Sequence, residues 1–380
     1  MEYELRHFDT SLLRFEANKE KADPEYRISW VNTNALSLLP HGMEATPKSL
    51  EAWVRRRAIP KNRAFVSNFL ARSGLSANRP LGIIAVCKGL SLNDCYWVTE
   101  AGSAETFAKV NLYENRMSQL LAQIAFTGYG SSPRTGFSSS PEFTTNGNLP
   151  KCWRRIGGKI FLYKGGTTGF ANAGYEPYSE YYASDAACAF GVKAATYTLH
   201  KWKGTLCSAS ELFTSLDRSF VSTASVVRKG GFAAVVDYYA ALGSEYTQAL
   251  SDMVAFDALI CNTDRHFNNF GFLVDSRTNE FVAPAPLFDH GNSLLYQAYG
   301  DDWVSDEHLT AYANALTPCA YDDFIVTAKE LMTHETRAKV RGMLTFEFSE
   351  DSSPYTRKFK EERLSLIQQQ IRYRARMLLE

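Results

Sequence analysis

Apolar residues fall at helical spacing at Leu50, Trp53 and Val54, directly after Thr46-Pro47. A capping hydroxyl followed by proline suits a helix start, so a helix is predicted from residue 47. A second is predicted over about 61–72, ending at Gly74. The run Leu81 to Val86 is continuously apolar, and Cys95 to Val98 is aromatic and β-branched, with a polar turn at 91–94. Both read as strands. Residues 104–126 return to a helical period through Val110, Leu112, Met117, Leu120, Leu121 and Ile124. Residues 1–45 mix short apolar runs with charge and predict no clear element. Residues 1–126 are therefore expected to form a mixed α/β module of their own.

The stretch 127–141, TGYGSSPRTGFSSSP, is rich in Gly, Ser and Pro and is predicted as a linker. Beyond it, three short strands are predicted around 143–145, 152–155 and 159–164. Pro177 opens a helix that should end at Gly191, and strand-like sequence follows at 195–202 and 208–213. From Tyr238 onward the chain reads as largely helical, with a last helix from about Tyr355. The predicted fold class is α+β: a small β-rich lobe (142–236), then a larger helical lobe (237–380), with the N-terminal α/β module added. That order is the protein-kinase-like two-lobed fold, which binds nucleotide between its lobes.

Lys and Arg number 41, as do Asp and Glu. A neutral chain carries no electrostatic case for direct nucleic-acid or membrane binding. Arg55, Arg56 and Arg57 read as a solvated helix face. The seven cysteines make no C-x-x-C pair, and most, such as Cys188 and Cys261, have apolar neighbours. They read as buried thiols of a reducing compartment. The first residues lack an apolar leader, so the expected location is the cytoplasm, with secretion as an effector left open.

The chemistry gathers in FDALICNTDRHFNNFGFLV (256–274) and APAPLFDHG (283–291). Asp264 follows a buried helix, and a strand-like run begins at Phe270. Polar residues thus crowd a short loop between buried elements. Phosphoryl transfer needs a carboxylate on the attacking hydroxyl, oxygen ligands for Mg²⁺ and a cation on the phosphates. Asp264 and Asn269 are five positions apart (269 − 264), the spacing that kinases use for the catalytic aspartate and a metal-binding asparagine. Asp289, 25 positions on (289 − 264), is flanked by apolar residues and followed by His-Gly.

These two segments resemble the catalytic signature of the HipA-like Ser/Thr kinases, including their CtkA-like branch. The resemblance implies Asp264 as the catalytic residue and Asn269 and Asp289 as Mg²⁺ ligands. His266 matches the family histidine and is expected to shape the loop or to act in catalysis. More weakly, TTNGNLPK (144–151) resembles the family's phosphate loop, with Gly147 and Lys151 at the matching positions and Leu149 where many members have Gln. A plain hairpin turn at Asn146-Gly147 is the other reading. Lys164, ending KIFLYK, falls where the fold places its phosphate-binding lysine. Its expected partner is Glu180, preferred over Glu176. Glu211 to Thr214 is expected to form the adenine-binding hinge, giving Glu211 and Thr214 as cofactor contacts. Thr144 and Thr145 are the hydroxyls nearest the loop for self-modification. The resemblance covers about 142–380; residues 1–126 show no likeness to the family's N-terminal segment.

The function implied is an ATP- and Mg²⁺-dependent protein Ser/Thr kinase, acting on a partner protein or on itself, with an antitoxin-like protein as a further partner. One alternative is a lipid or small-molecule kinase, since D-R-H-x-x-N also occurs in phosphoinositide kinases. Another is a non-catalytic kinase-like scaffold.

Overall fold

A computed structural model describes residues 1–131, 140–169, 173–351 and 353–380. Most of the expected linker, 132–139, lies outside the described residues. The chain clusters into two compact units. The first comprises 1–164, 212–221 and 273–282; the second comprises 165–211, 222–272 and 283–380.

Residues 1–45, which predict nothing, carry three strands: β1 Glu2–His7, β2 Thr10–Glu16 and β3 Arg27–Val31. With β4 Tyr96–Glu100 they make an antiparallel sheet of order β3-β2-β1-β4. Tyr3, Leu5, Leu13 and Phe15 are buried on it. The alternation Tyr3-Glu4-Leu5-Arg6 is short, and its polar side is buried too: Glu4 is a buried carboxylate within β1. Arg6, Arg14 and Ser11 all donate to it at 2.8–2.9 Å. Burial opposes that charge, but the three donors outweigh it and lower the pKa of Glu4.

Helix α1, Pro47–Arg57, begins as predicted, with the Thr46 hydroxyl accepting from the Ser49 N–H at 3.3 Å. Its last residue departs from expectation. Arg57 is not part of a solvated face: it donates to Asp94, Gly89 O and Tyr96 O and stacks on Trp53. Helix α2 is shorter than predicted, Val66–Arg72. The apolar run expected as a strand is helix α3, Pro80–Cys87. Proline sets its first turn, and Leu81, Ile83, Ile84 and Cys87 are buried, so apolar residues occur all round it. The helical period of 104–126 is broken into α4 Phe107–Val110 and α5 Gln119–Thr127. The Asn111 side chain breaks it, accepting from the Glu114 N–H at 2.9 Å and donating to Phe107 O. The strand expected near Phe143 is a 3₁₀ turn, Pro141–Phe143. The hairpin β5 Lys151–Ile156 and β6 Lys159–Gly165 follows, pairing Lys151 with Lys164.

In the second unit, helix α6 Glu176–Phe190 is capped by Gly191 at φ 79°. The hairpin β7 Tyr197–Trp202 and β8 Thr205–Glu211 packs on it. After a short turn of helix, α7 Thr223–Val226, come α8 Gly231–Leu242 and α9 Ser244–Ile260. Every residue of α9 from Leu250 to Ile260 is buried. Helices Phe324–Leu331, His334–Gly342 and Ser365–Leu379 pack around it. Two cysteines expected as buried, Cys188 and Cys319, are exposed; the other five are buried. Among the described residues no helix is long and apolar enough to cross a membrane.

Candidate active site

Helix α9 stops at Cys261, whose left-handed φ of 52° turns the chain into the loop 262–270. Three side chains build the floor of that loop. Asp257, one turn before the helix end, accepts from Arg265 Nε and Nη2 at 2.8 and 2.9 Å and from Asn262 Nδ2 at 3.0 Å. Burial works against the Arg265 charge, but Asp257 outweighs it and raises the pKa, with smaller contributions from Tyr321 and Asp289. The remaining terminal nitrogen, Nη1, donates to Asn269 O at 3.0 Å and Phe288 O at 2.7 Å. One buried guanidinium therefore fixes the carbonyl of Asn269 and the carbonyl immediately before Asp289.

A second set of bonds laces the two loops from the other side. Thr263 donates to Asn292 O through its N–H at 3.1 Å and its hydroxyl at 3.2 Å. Asn292 Nδ2 donates to Asp264 Oδ2 at 3.1 Å. The Leu294 N–H donates to Ile260 O at 2.7 Å. Asp264 and Asp289 are both half-buried. Asp289 has a φ of 61°, and its N–H donates to the Tyr197 hydroxyl at 3.1 Å. A non-glycine residue in this region is strained and persists only when its surroundings hold it.

Asn269 is buried, and its Nδ2 donates to Asp264 O at 3.1 Å. The His266 side chain is exposed. Its backbone closes the turn, the N–H donating to Asp264 O and the carbonyl accepting from Asn269 N–H, both at 2.8 Å. The histidine thus shapes the loop through its main chain. Glu180 is buried on α6 and accepts from the Ser208 hydroxyl. Gly291 passes so close to α6 that a Cβ there would lie 3.4 Å from Glu176 Cβ and 3.8 Å from Glu180 Oε1. Glu176 is buried too and accepts from the Thr167 N–H at 3.1 Å. The Tyr296 hydroxyl is pushed up to about 12, first by burial and then by the charges of Glu176 and Asp264.

In the first unit, Gly147 has a φ of 93°, and the space that a Cβ would fill is taken by Lys151 Nζ. Glycine adopts this backbone without strain, and any side chain there would also have to displace the lysine tip. Lys151 and Lys164 are cross-strand partners, both buried. Thr214 is buried and its hydroxyl donates to Leu92 O. In the second unit, Glu211 ends β8 and is exposed.

Spacing alone pointed to Asp264, Asn269 and Asp289 but missed Arg265, Asp257 and Asn292. A charged residue beside a motif aspartate reads as surface, and an asparagine three places past Asp289 carries no local signal. Among the described residues no three His, Cys, Asp or Glu side chains gather into a cage for a metal. Magnesium sites commonly use one or two carboxylates together with phosphate oxygens and water. The fixed pair of loops bearing Asn269 and Asp289 fits that pattern.

No family model and no curated protein matches this chain. Among solved structures, it is similar to a chain of the Shewanella oneidensis MR-1 toxin–antitoxin complex of HipA, HipB and operator DNA. That match has a TM-score of 0.55 at 12% identity and covers 99% of this chain and 97% of that one. The chain has the HipA fold. The likeness runs through residues 1–126, where the sequence shows none. The chain is also similar to the Helicobacter pylori proinflammatory kinase CtkA, with 21% identity and a TM-score of 0.42 over 60% of this chain and 94% of that one. The HipA-like fold is a mixed α/β one with several antiparallel sheets.

Proposed function

We propose that the protein is an ATP- and Mg²⁺-dependent phosphotransferase that acts on Ser or Thr hydroxyls of a protein, itself included. Supporting this reading most directly is the lacing of the Asp264 loop to the Asp289 loop by Arg265 and Asn292. Phosphoryl transfer is mostly positioning and charge stabilisation, and those bonds fix an aspartate, an asparagine and a second aspartate on rigid backbone. In this assignment Asp264 orients the acceptor hydroxyl and takes its proton. Asn269 and Asp289 hold the metal, which neutralises charge on the phosphates when bound. Gly147, Lys151 and Lys164 are assigned to the phosphates, and Glu180 and the segment from Glu211 to Thr214 to the nucleotide. His266 serves the loop through its backbone.

In the two-lobed reading, residues 142–236 form the nucleotide-binding lobe and 237–380 the catalytic lobe, with 1–126 as an added module. An antitoxin-like protein is the proposed partner, by analogy with the HipB of the similar HipA complex. The deciding experiment is transfer of labelled γ-phosphate by the purified protein to itself or to a generic protein acceptor. Loss of transfer in Asp264→Ala is expected; undiminished transfer in that variant overturns the assignment.

A further inference from the structure

The loop 144–151 is gripped by a segment more than seventy residues away in sequence. Ile59 N–H donates to Phe143 O and Ala64 N–H to Asn148 O, each at 2.8 Å. Between them, Arg63 is buried at 2% exposure. Its Nη1 donates to Glu142 O and Thr145 O, both at 3.1 Å, and its Nη2 to Lys151 O at 2.5 Å. The guanidinium thus spans the mouth of the loop, touching the limb that enters it and the limb that leaves. Its Nε has no hydrogen-bond partner. The Glu142 carboxylate, also buried, is engaged by the Ser140 hydroxyl and the Trp153 N–H instead. Burial pulls the Arg63 pKa down to about 10, so the group stays charged at neutral pH.

A buried cation held by carbonyl oxygens alone is an expensive way to close a turn. What it supplies is geometry. A planar fork spreads its donors over two terminal nitrogens and so reaches carbonyls on both limbs of the loop, where an ammonium offers its donors from a single point. With the mouth closed, Asn148 O is held by the Ala64 N–H and Gly147 lies against Lys151 Nζ.

We propose that Arg63 is a positioning residue for nucleotide binding: it closes the mouth of the 144–151 loop and holds the loop backbone ready for phosphates. This rests on the assignment of that loop to the phosphates. The structural role and the nucleotide role are separable by experiment.

The test compares the full-length wild type with Arg63→Met and Arg63→Lys. Hydrogen exchange would be followed across 144–151, and affinity measured for Mg-ATP and, separately, for adenosine. Both variants are expected to exchange faster at 144–151 while amides of 264–269 keep their wild-type rates. Mg-ATP should bind roughly tenfold more weakly to Arg63→Met, as loss of about 1.4 kcal/mol implies, with adenosine affinity unchanged and Arg63→Lys intermediate. A merely structural role would weaken both ligands together or neither. Arg63→Lys keeps the charge and most of the volume, so it decides the matter if Arg63→Met does not fold. Unchanged exchange at 144–151 overturns the clamp. Faster exchange with wild-type Mg-ATP affinity overturns the nucleotide role, and with it the phosphate-loop assignment. A wild type that binds no Mg-ATP refutes the kinase reading itself.

Discussion

Arg265 and Asp257 form a two-pronged ion pair in which neither side chain touches solvent, although they lie on opposite sides of the end of helix α9. Breaking a buried pair from one side leaves an uncompensated charge and typically costs about 3–5 kcal/mol. Arg265→Met and Asp257→Asn are each expected to lose stability in that range by urea denaturation. The double replacement Asp257→Asn with Arg265→Met should lose less than the sum of the singles. Additive losses would show that the two residues do not act as a pair.

The two aspartates should separate binding from transfer. A ligand that binds only the native state raises the melting midpoint. Asp264→Ala is expected to retain the Mg-ATP melting shift and lose phosphate transfer. Asp289→Ala should lose the magnesium-dependent part of the shift. Melting curves with ATP alone, Mg²⁺ alone and both together would show it.

Asn292 touches Asp264 through a single bond, so it offers a graded probe. Asn292→Ala should lower the transfer rate by about 10–100-fold, the loss of one orienting hydrogen bond, with Mg-ATP affinity within about twofold. Asn292→Asp puts a like charge beside the carboxylate, and its pH–rate profile should move to higher pH as the Asp264 pKa rises. An unshifted profile would count against Asp264 as the titrating group.

His7 makes the first unit sensitive to acid. It stacks on Tyr96, and burial, opposed by Asp94 and aided by Arg277, lowers its pKa from 6.5 to about 4. The unfolded chain therefore binds more protons between those values, and stability must rise with pH across that window. The contribution is fully present above pH 6.5 and is lost as the pH falls towards 4. At about 1.4 kcal/mol per pH unit, the effect is on the order of 3 kcal/mol. Comparing wild type with His7→Phe by denaturation at pH 4.5 and 7 would isolate it; the same pH dependence in both would rule His7 out as the source.

Gly147→Ala meets two obstacles, a positive φ and the Lys151 ammonium where its Cβ would go. An alanine held at positive φ costs roughly 1–2 kcal/mol before any clash. Reduced Mg-ATP affinity with an intact global fold is the expected result, and titration calorimetry would read it.

Parts of the fold are legible in the sequence. Thr46-Pro47 and Gly191 marked helix ends because capping is local chemistry carried by single residues. The sheet of residues 1–31 was not legible, since the alternation Tyr3-Glu4-Leu5-Arg6 is short and its polar member Glu4 is buried as well, satisfied by Arg6 beside it and by Ser11 and Arg14 on the neighbouring strand. The run at 81–86 misled because an all-apolar stretch has no period by which helix and strand can be told apart. In the site, the spacing of Asp264, Asn269 and Asp289 was visible along the chain. The roles of Arg265, Asn292 and Arg63 depend on carbonyls and carboxylates brought near by the fold, which no spacing encodes.

The division of the chain into interleaved pieces has a practical corollary. Because each compact unit draws on three separate stretches, no single truncation point yields either one whole. A fragment starting after the Gly/Ser-rich stretch would discard four strands and Arg63, while one ending near residue 211 would strip the first unit of two of its pieces. Half-proteins designed from a linear domain diagram should therefore misfold or aggregate, and split versions would need both fragments present during refolding.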